Sequence, residues 1–273
     1  MKSIFPEDVG DPGRLVLTIH LGRESCSFSL CNPEKSGSFF YSVLTGENLS
    51  DPFSVFKEAF FENDFFSLPF GKVWIIYHTP FFTYIPDSIF QDKTKDDYLA
   101  FLFSRKQGMT LSHLVSNTTI NVSYHIPESV YEFFIRSFTE PKFIHYSAPM
   151  ITYFTETVKK ANSRQMFVNL REKGLDIFCF SGETFLLGNY FPCNNYREAV
   201  YYILLIWKQL QFNQLNDILH FAGHTVFKEE LINNLSSYLS NIQCLTVSSD
   251  IFPEGIETGL IPFELTAFSS CVL

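Results

Sequence analysis

The sequence predicts a mixed α/β fold built twice from one β-β-β-α-β unit. Three observations carry that prediction. Gln165 to Phe191 reads as three short strands joined by two tight turns, and Leu15 to Val43 is its earlier counterpart, also three strands. Each meander is followed by a helical segment and then an apolar strand, Val73 to Tyr77 in the first copy and Asp217 to Ala222 in the second. Laying His20 on Asn169, an offset of 169 − 20 = 149, brings Ile19 onto Val168, Leu21 onto Leu170 and Phe28 onto Ile177 without a gap. Gly22 and Gly174 mark the first turns. Ser36-Gly37 and Ser181-Gly182 mark the second, the former after four extra residues.

In chain order, Leu15 to Leu21 is rich in apolar and β-branched residues, which predicts a buried strand. Gly22-Arg23-Glu24 is a turn, Ser25 to Cys31 the return strand, and Ser38 to Leu44 a third strand after a longer turn from Asn32. Asp51 followed by Pro52 is a helix start, and Leu49, Phe53, Phe56 and Phe60 fall on one face at helical spacing. The continuous run Val73 to Tyr77 predicts a central strand covered on both faces. Pro80 to Phe90 reads as an irregular crossing segment, Asp96 to Ser104 as a short helix, and Thr110 to Ser116 and Thr119 to His125 as strands. Pro127 opens a helix with Val130, Phe133, Phe134 and Phe138 on one side. Lys142 to Tyr146 is a short strand, and Ser147 starts a helix that runs to about Asn162.

The second copy has strands at Gln165 to Leu170, Leu175 to Phe180 and Thr184 to Phe191. A helix over Asn195 to Phe212 is apolar around its middle, which predicts cover on both sides. Asp217 to Ala222 is a strand ending in Gly223, Lys228 to Leu239 a helix, Ile242 to Val247 a strand, and Pro262 to Ser269 a short helix.

Composition bounds the function. With 46% apolar and 18% charged residues over 273 positions, the chain can bury sizeable cores as one large or two modest domains. The net charge is −9 and no Lys/Arg run is longer than two residues, as at Lys159-Lys160, so neither nucleic acid nor an anionic membrane is an expected partner. Six cysteines without a CxxC pair read as reduced thiols of a cytoplasmic protein. The start MKSIFPEDVG lacks an apolar signal core, and the longest apolar run, Ala199 to Trp207, is too short to span a bilayer. No Walker loop, GxSxG or GxGxxG occurs, and the scattered histidines predict no metal site.

Three segments carry a family resemblance. IHLGRESCSFSL and VNLREKGLDIFCF resemble the two phosphate hairpins of the actin-like ATPase superfamily, and ILHFAGHTVFKEEL resembles its adenosine loop. The chain also resembles an uncharacterised bacterial family placed in that superfamily. The resemblance implies an actin-like ATPase fold of two RNase H-like lobes with mixed sheets, residues 1–146 and 147–273. It implies a cofactor site at His20, Gly22, Arg23, Asn169, Arg171, Gly174, Gly223 and His224, with ATP as the possible ligand. Hairpin N–H groups there cradle phosphates, and an acid at the end of each first strand organises Mg²⁺.

The sequence departs from that pattern. His20 and Asn169 stand where acids are expected, and the second turn and the adenosine loop each keep one glycine, Gly174 and Gly223. The expectation is therefore a binding or scaffold module with a degenerate nucleotide site, no ordinary ATPase activity and an unidentified protein partner. The alternative is a divergent ATP-dependent kinase or ATPase using a non-standard acid in the interlobe cleft, with Glu24, Glu172 and Asp176 as candidates. Each residue also has a plainer reading. His20 is a satisfied strand-end histidine, Asn169 a turn-bonding amide, and Arg23 and Arg171 solvated turn charges. His224 caps the next helix or meets a ligand, and Asp176 is an ordinary strand residue.

Overall fold

The computed structural model describes residues 5–6, 10–23, 25–46, 51–103, 108–159 and 163–271. The expectations placed on Glu24, Leu49, Ser104, Lys160 and Asn162 lie outside these. The backbone divides into two compact units. One comprises the described residues of 1–149, 248–256 and 268–273, and the other those of 150–247 and 257–267.

In the first unit, β1 (Val16–Leu21), β2 (Cys26–Cys31) and β3 (Phe40–Leu44) form the expected meander. With β4 (Lys72–Tyr77) and β8 (Lys142–His145) they make a five-stranded sheet in the order β3-β2-β1-β4-β8, with β1, β4 and β8 parallel. Helices α1 (Pro52–Glu62) and α3 (Glu128–Ser137) cover one face, where Leu17, Ile19, Phe28 and Ile75 meet Val55, Phe56, Val130 and Phe134. Helix α1 starts where it does because Asp51 Oδ1 accepts the Phe53 N–H at 3.1 Å and Pro52 has no N–H to leave unpaired. The core is aromatic. Phe56 stacks on Phe134 with centroids 5.1 Å apart and meets Phe66 edge-on at 5.1 Å.

Between β4 and α3 lies an inserted antiparallel sheet of β5 (Phe82–Pro86), β6 (Met109–Leu114) and β7 (Ile120–Ile126), ordered β5-β7-β6, with helix α2 (Lys95–Leu102). The segment expected to be irregular thus contains a strand. Pro86 closes β5 at the sheet edge, where a missing N–H costs no ladder bond.

The second unit repeats the core without the insertion. After α4 (Ser147–Val158), β9 (Arg164–Arg171), β10 (Gly174–Ser181) and β11 (Thr184–Pro192) form the meander. Helix α5 (Tyr196–Gln209), β12 (Ile218–Gly223), α6 (Lys228–Leu235) and β13 (Ile242–Cys244) come next, and of α7 (Phe263–Cys271), the last described element, residues 263–267 belong to this unit. The sheet order is β11-β10-β9-β12-β13, with β9, β12 and β13 parallel. The register is duplicated as well as the order. Ile19 faces Phe28 and His20 faces Ser27 across β1 and β2, while Val168 faces Ile177 and Asn169 faces Asp176 across β9 and β10. The offset of 169 − 20 = 149 therefore carries Ser27 onto Asp176, since 27 + 149 = 176.

Three expectations change. Helix α5 buries Ala199, Ile203, Ile206 and Trp207 on one face only, and Tyr201 is 60% exposed, so its middle is not covered on both sides. Helix α6 stops at Leu235, and β13 stops at Cys244.

Candidate functional site

The first hairpin turns at Gly22, whose N–H donates to Ser25 O at 2.9 Å. A Cβ on Gly22 would lie 2.9 Å from His20 Cε1 and 3.0 Å from Ser25 O, so close approach is what requires glycine there. His20 is buried, with Nδ1 3.4 Å from Ser27 Oγ. Gly22 and Arg23 line a cavity of about 370 Å³ together with Asp51, Tyr77, His78 and Ser129. Two of these groups are committed. Asp51 accepts from Phe53 N–H at 3.1 Å and Ser54 Oγ at 2.6 Å, and so holds the N-terminus of α1. Burial, with the Asp51 charge adding to it, pushes the Tyr77 hydroxyl up to about 12, so it stays protonated. Arg23 is exposed and carries the cavity's positive charge.

The second hairpin is built differently. Glu172 and Lys173 form its exposed tip, and Gly174 pairs with Arg171 at the base. A Cβ on Gly174 would strike the Tyr190 ring, whose hydroxyl donates to Lys173 O at 2.7 Å. Arg171 turns inward and is only 18% exposed. Its Nε donates to Asp176 Oδ2 at 2.7 Å and its Nη1 to Glu264 Oε1 at 3.0 Å. Asn169 Nδ2 donates to the same Asp176 oxygen at 3.1 Å. Both carboxylates are fully buried. Burial pushes the Asp176 carboxyl up and Glu264 adds to that, while Arg171 and the Asn169 amide pull it back.

At the end of β12, Gly223 has φ +70°, and a Cβ there would strike Leu170 O and Asn169 Oδ1. Lys228 Nζ donates to Gly223 O at 3.1 Å. His224 is exposed, and the residue at the cap position of α6 is Phe227, so His224 does not cap that helix.

Of the eight residues singled out in the sequence, Asn169 and Arg171 converge on Asp176, and Gly223 packs against Asn169. His20, Gly22 and Arg23 belong to the first unit, Gly174 pairs with Arg171 at the base of the second hairpin, and His224 is exposed. The readings of Arg171 as a solvated charge, Asn169 as a turn-bonding amide and Asp176 as an ordinary strand residue are overturned by their burial and mutual bonds. Glu264 was not legible from the hairpin motifs, because it comes from α7, 93 residues beyond Arg171. Its only signal is an acid inside the apolar run Phe263 to Phe268. Among the described residues, no group of three or more His, Cys, Asp or Glu is placed to hold a metal ion.

A family model described as protein of unknown function DUF3822 matches residues 10–242. Among solved structures, the chain is similar to a Bacteroides thetaiotaomicron protein described as having an actin-like ATPase fold and unknown function. That match is 27% identical at a TM-score of 0.82 and covers 95% of this chain and 97% of the other. It is also similar in fold to a structure of the PilM-PilN type IV pilus biogenesis complex, at 8% identity and a TM-score of 0.55, covering 94% and 96% of the two chains. No curated protein matches. The fold is the actin-like ATPase fold, with mixed sheets.

Proposed function

The chain belongs to the DUF3822 family of proteins of unknown function, and from that premise we propose that it is a binding or scaffold module with a degenerate nucleotide site and no ordinary ATPase activity. The observation that carries this reading is the Arg171 guanidinium held between the Asp176 and Glu264 carboxylates. A Mg²⁺ ion in a nucleotide site is usually held by one or two carboxylates together with waters and the substrate phosphates. Here the two buried acids beside the second hairpin, Asp176 and Glu264, are bound to an internal cation, and Asn169 and His20 supply no negative charge at the strand ends. At the first hairpin, Asp51 caps the start of α1, whose N–H groups would otherwise attract a phosphate.

A protein partner fits a chain of net charge −9 better than nucleic acid does. Buried free thiols at Cys26, Cys31, Cys179 and Cys193 support a cytoplasmic setting, and no helix among the described residues is long and apolar enough to cross a membrane. One observation favours the alternative of a divergent kinase or ATPase. Asp176 lies directly across the strand pair from Asn169, and it is the candidate acid, because Glu172 is exposed at the turn.

Calorimetric titration with ATP-Mg²⁺, combined with a phosphate-release assay, separates the two. The expected result is no Mg²⁺-dependent hydrolysis above the blank. Hydrolysis that Asp176→Asn abolishes, in protein whose near-UV circular dichroism is unchanged, overturns the proposal in favour of the alternative.

A further inference from the structure

The duplication isolates one part of the first unit that the common core does not explain. In the second unit β12 leads directly through α6 to β13, whereas in the first β4 leads into β5, α2, β6 and β7 before the chain reaches α3 and β8. This insertion carries a groove of about 560 Å³ between the edge strand β5 and helix α2. Its volume falls in the range of ligand clefts, roughly 300–1,000 Å³.

The walls are apolar where a soluble chain normally is not. Phe101 is 90% exposed, and Ile89 and Leu102 in the same lining are more than half exposed, with Tyr84 and Tyr98 adding ring surface among the polar Thr83, Gln91 and Thr94. Successive residues 83 to 86 of β5 all line the groove, so it runs along the strand's edge rather than across one face of the sheet. Among the described residues, Asp97 is the single charged one in the lining. A second copy of this chain would bring another net charge of −9 to the same place, which opposes self-association.

We propose that the groove between β5 and α2 docks an extended segment of a partner protein, apolar at the positions that meet Phe101 and Ile89 and carrying a Lys or Arg that pairs with Asp97. This rests on the reading of the chain as a binding module and names the chemistry of its partner. The two readings fail separately, because nucleotide turnover is measured without reference to the groove.

The test uses the full chain and a phage-displayed library of random short peptides. Phe101→Ser and Asp97→Lys change exposed side chains, so both variants keep the wild-type circular dichroism. Peptides enriched on the wild-type chain are expected to combine apolar residues with Lys or Arg. Fluorescence polarisation of the best of them should weaken by about thirtyfold with Phe101→Ser, the scale of losing a buried aromatic anchor. With Asp97→Lys the selected charge should change from basic to acidic. Enriched peptides that bind both variants as well as wild type overturn the proposal, as does a library that enriches nothing beyond what the Phe101→Ser protein enriches. Sedimentation showing a wild-type dimer that Phe101→Ser dissolves would assign the groove to a second copy and overturn it too.

Discussion

At the scale of single residues, Arg171 decides how the second hairpin behaves. It bridges two fully buried carboxylates, and removing one partner of a buried ion pair leaves an uncompensated charge that costs about 3–5 kcal/mol. Arg171→Met should therefore lower the unfolding free energy measured in urea by that amount. The triple change Arg171→Met, Asp176→Asn, Glu264→Gln should restore most of it, because no charge then remains buried. A triple variant as unstable as the single one would mean that packing, not charge, holds the cluster. His220 makes a second, pH-dependent case. It stacks on Phe167 with centroids 4.6 Å apart, and Nε2 lies 2.7 Å from Gln165 Oε1. Burial lowers its pKa from 6.5 to about 4. The folded state then binds fewer protons than the unfolded chain inside that interval. The contribution is full above pH 6.5, declines as pH falls toward about 4, and amounts to at most about 3 kcal/mol. Urea unfolding of wild type and His220→Phe across the interval should show a shallower acid slope in the variant. His20 and Arg171 stood out in the sequence because they fill marked positions in a hairpin motif. Glu264 did not, because a contact spanning 93 residues leaves no local trace.

At the scale of elements, periodicity was the readable signal, and it read best where one face is buried. The face of α1 carrying Phe56 is legible because helical spacing and the Asp51-Pro52 start agree. Phe56 packs among Phe60, Phe66, Phe133, Phe134 and Phe138, so Phe56→Ala should cost about 3–5 kcal/mol in thermal or chemical unfolding. Phe61→Ala in the same helix, at a side chain 73% exposed, should move the midpoint little. Equal effects at the two positions would show that the ring cluster is not the core of this unit. Strand β5 is hidden in the sequence because prolines at 80 and 86 frame it and suggest a loop, although an edge strand tolerates one at its end. The middle of α5 misled for the opposite reason. A run of apolar residues looks the same whether one side is covered or two, and Tyr201 lies on the uncovered side.

At the scale of the whole chain, the repeat was legible because each register is fixed twice, once by the turn and once by alternation of buried side chains. The tail has no counterpart in the repeat, so nothing in the pattern announced where it goes. Its residues 248–256 and 268–271 belong with the first unit and 257–267 with the second. In the first unit, Phe252 meets the Phe39 ring edge-on at 4.8 Å and Phe268 meets Trp74 at 5.2 Å. In the second, Phe263 stacks on Phe154 at 5.5 Å and Glu264 receives Arg171. A chain ending at Val247 would thus expose apolar rings in both units and leave Arg171 and Asp176 without the second carboxylate. The expected outcome is a protein that keeps its far-UV circular dichroism, loses its near-UV signal and binds a hydrophobic dye, the marks of secondary structure without fixed packing. Were the tail an appendage, the shortened chain would instead melt cooperatively near the full-length midpoint with its near-UV spectrum intact.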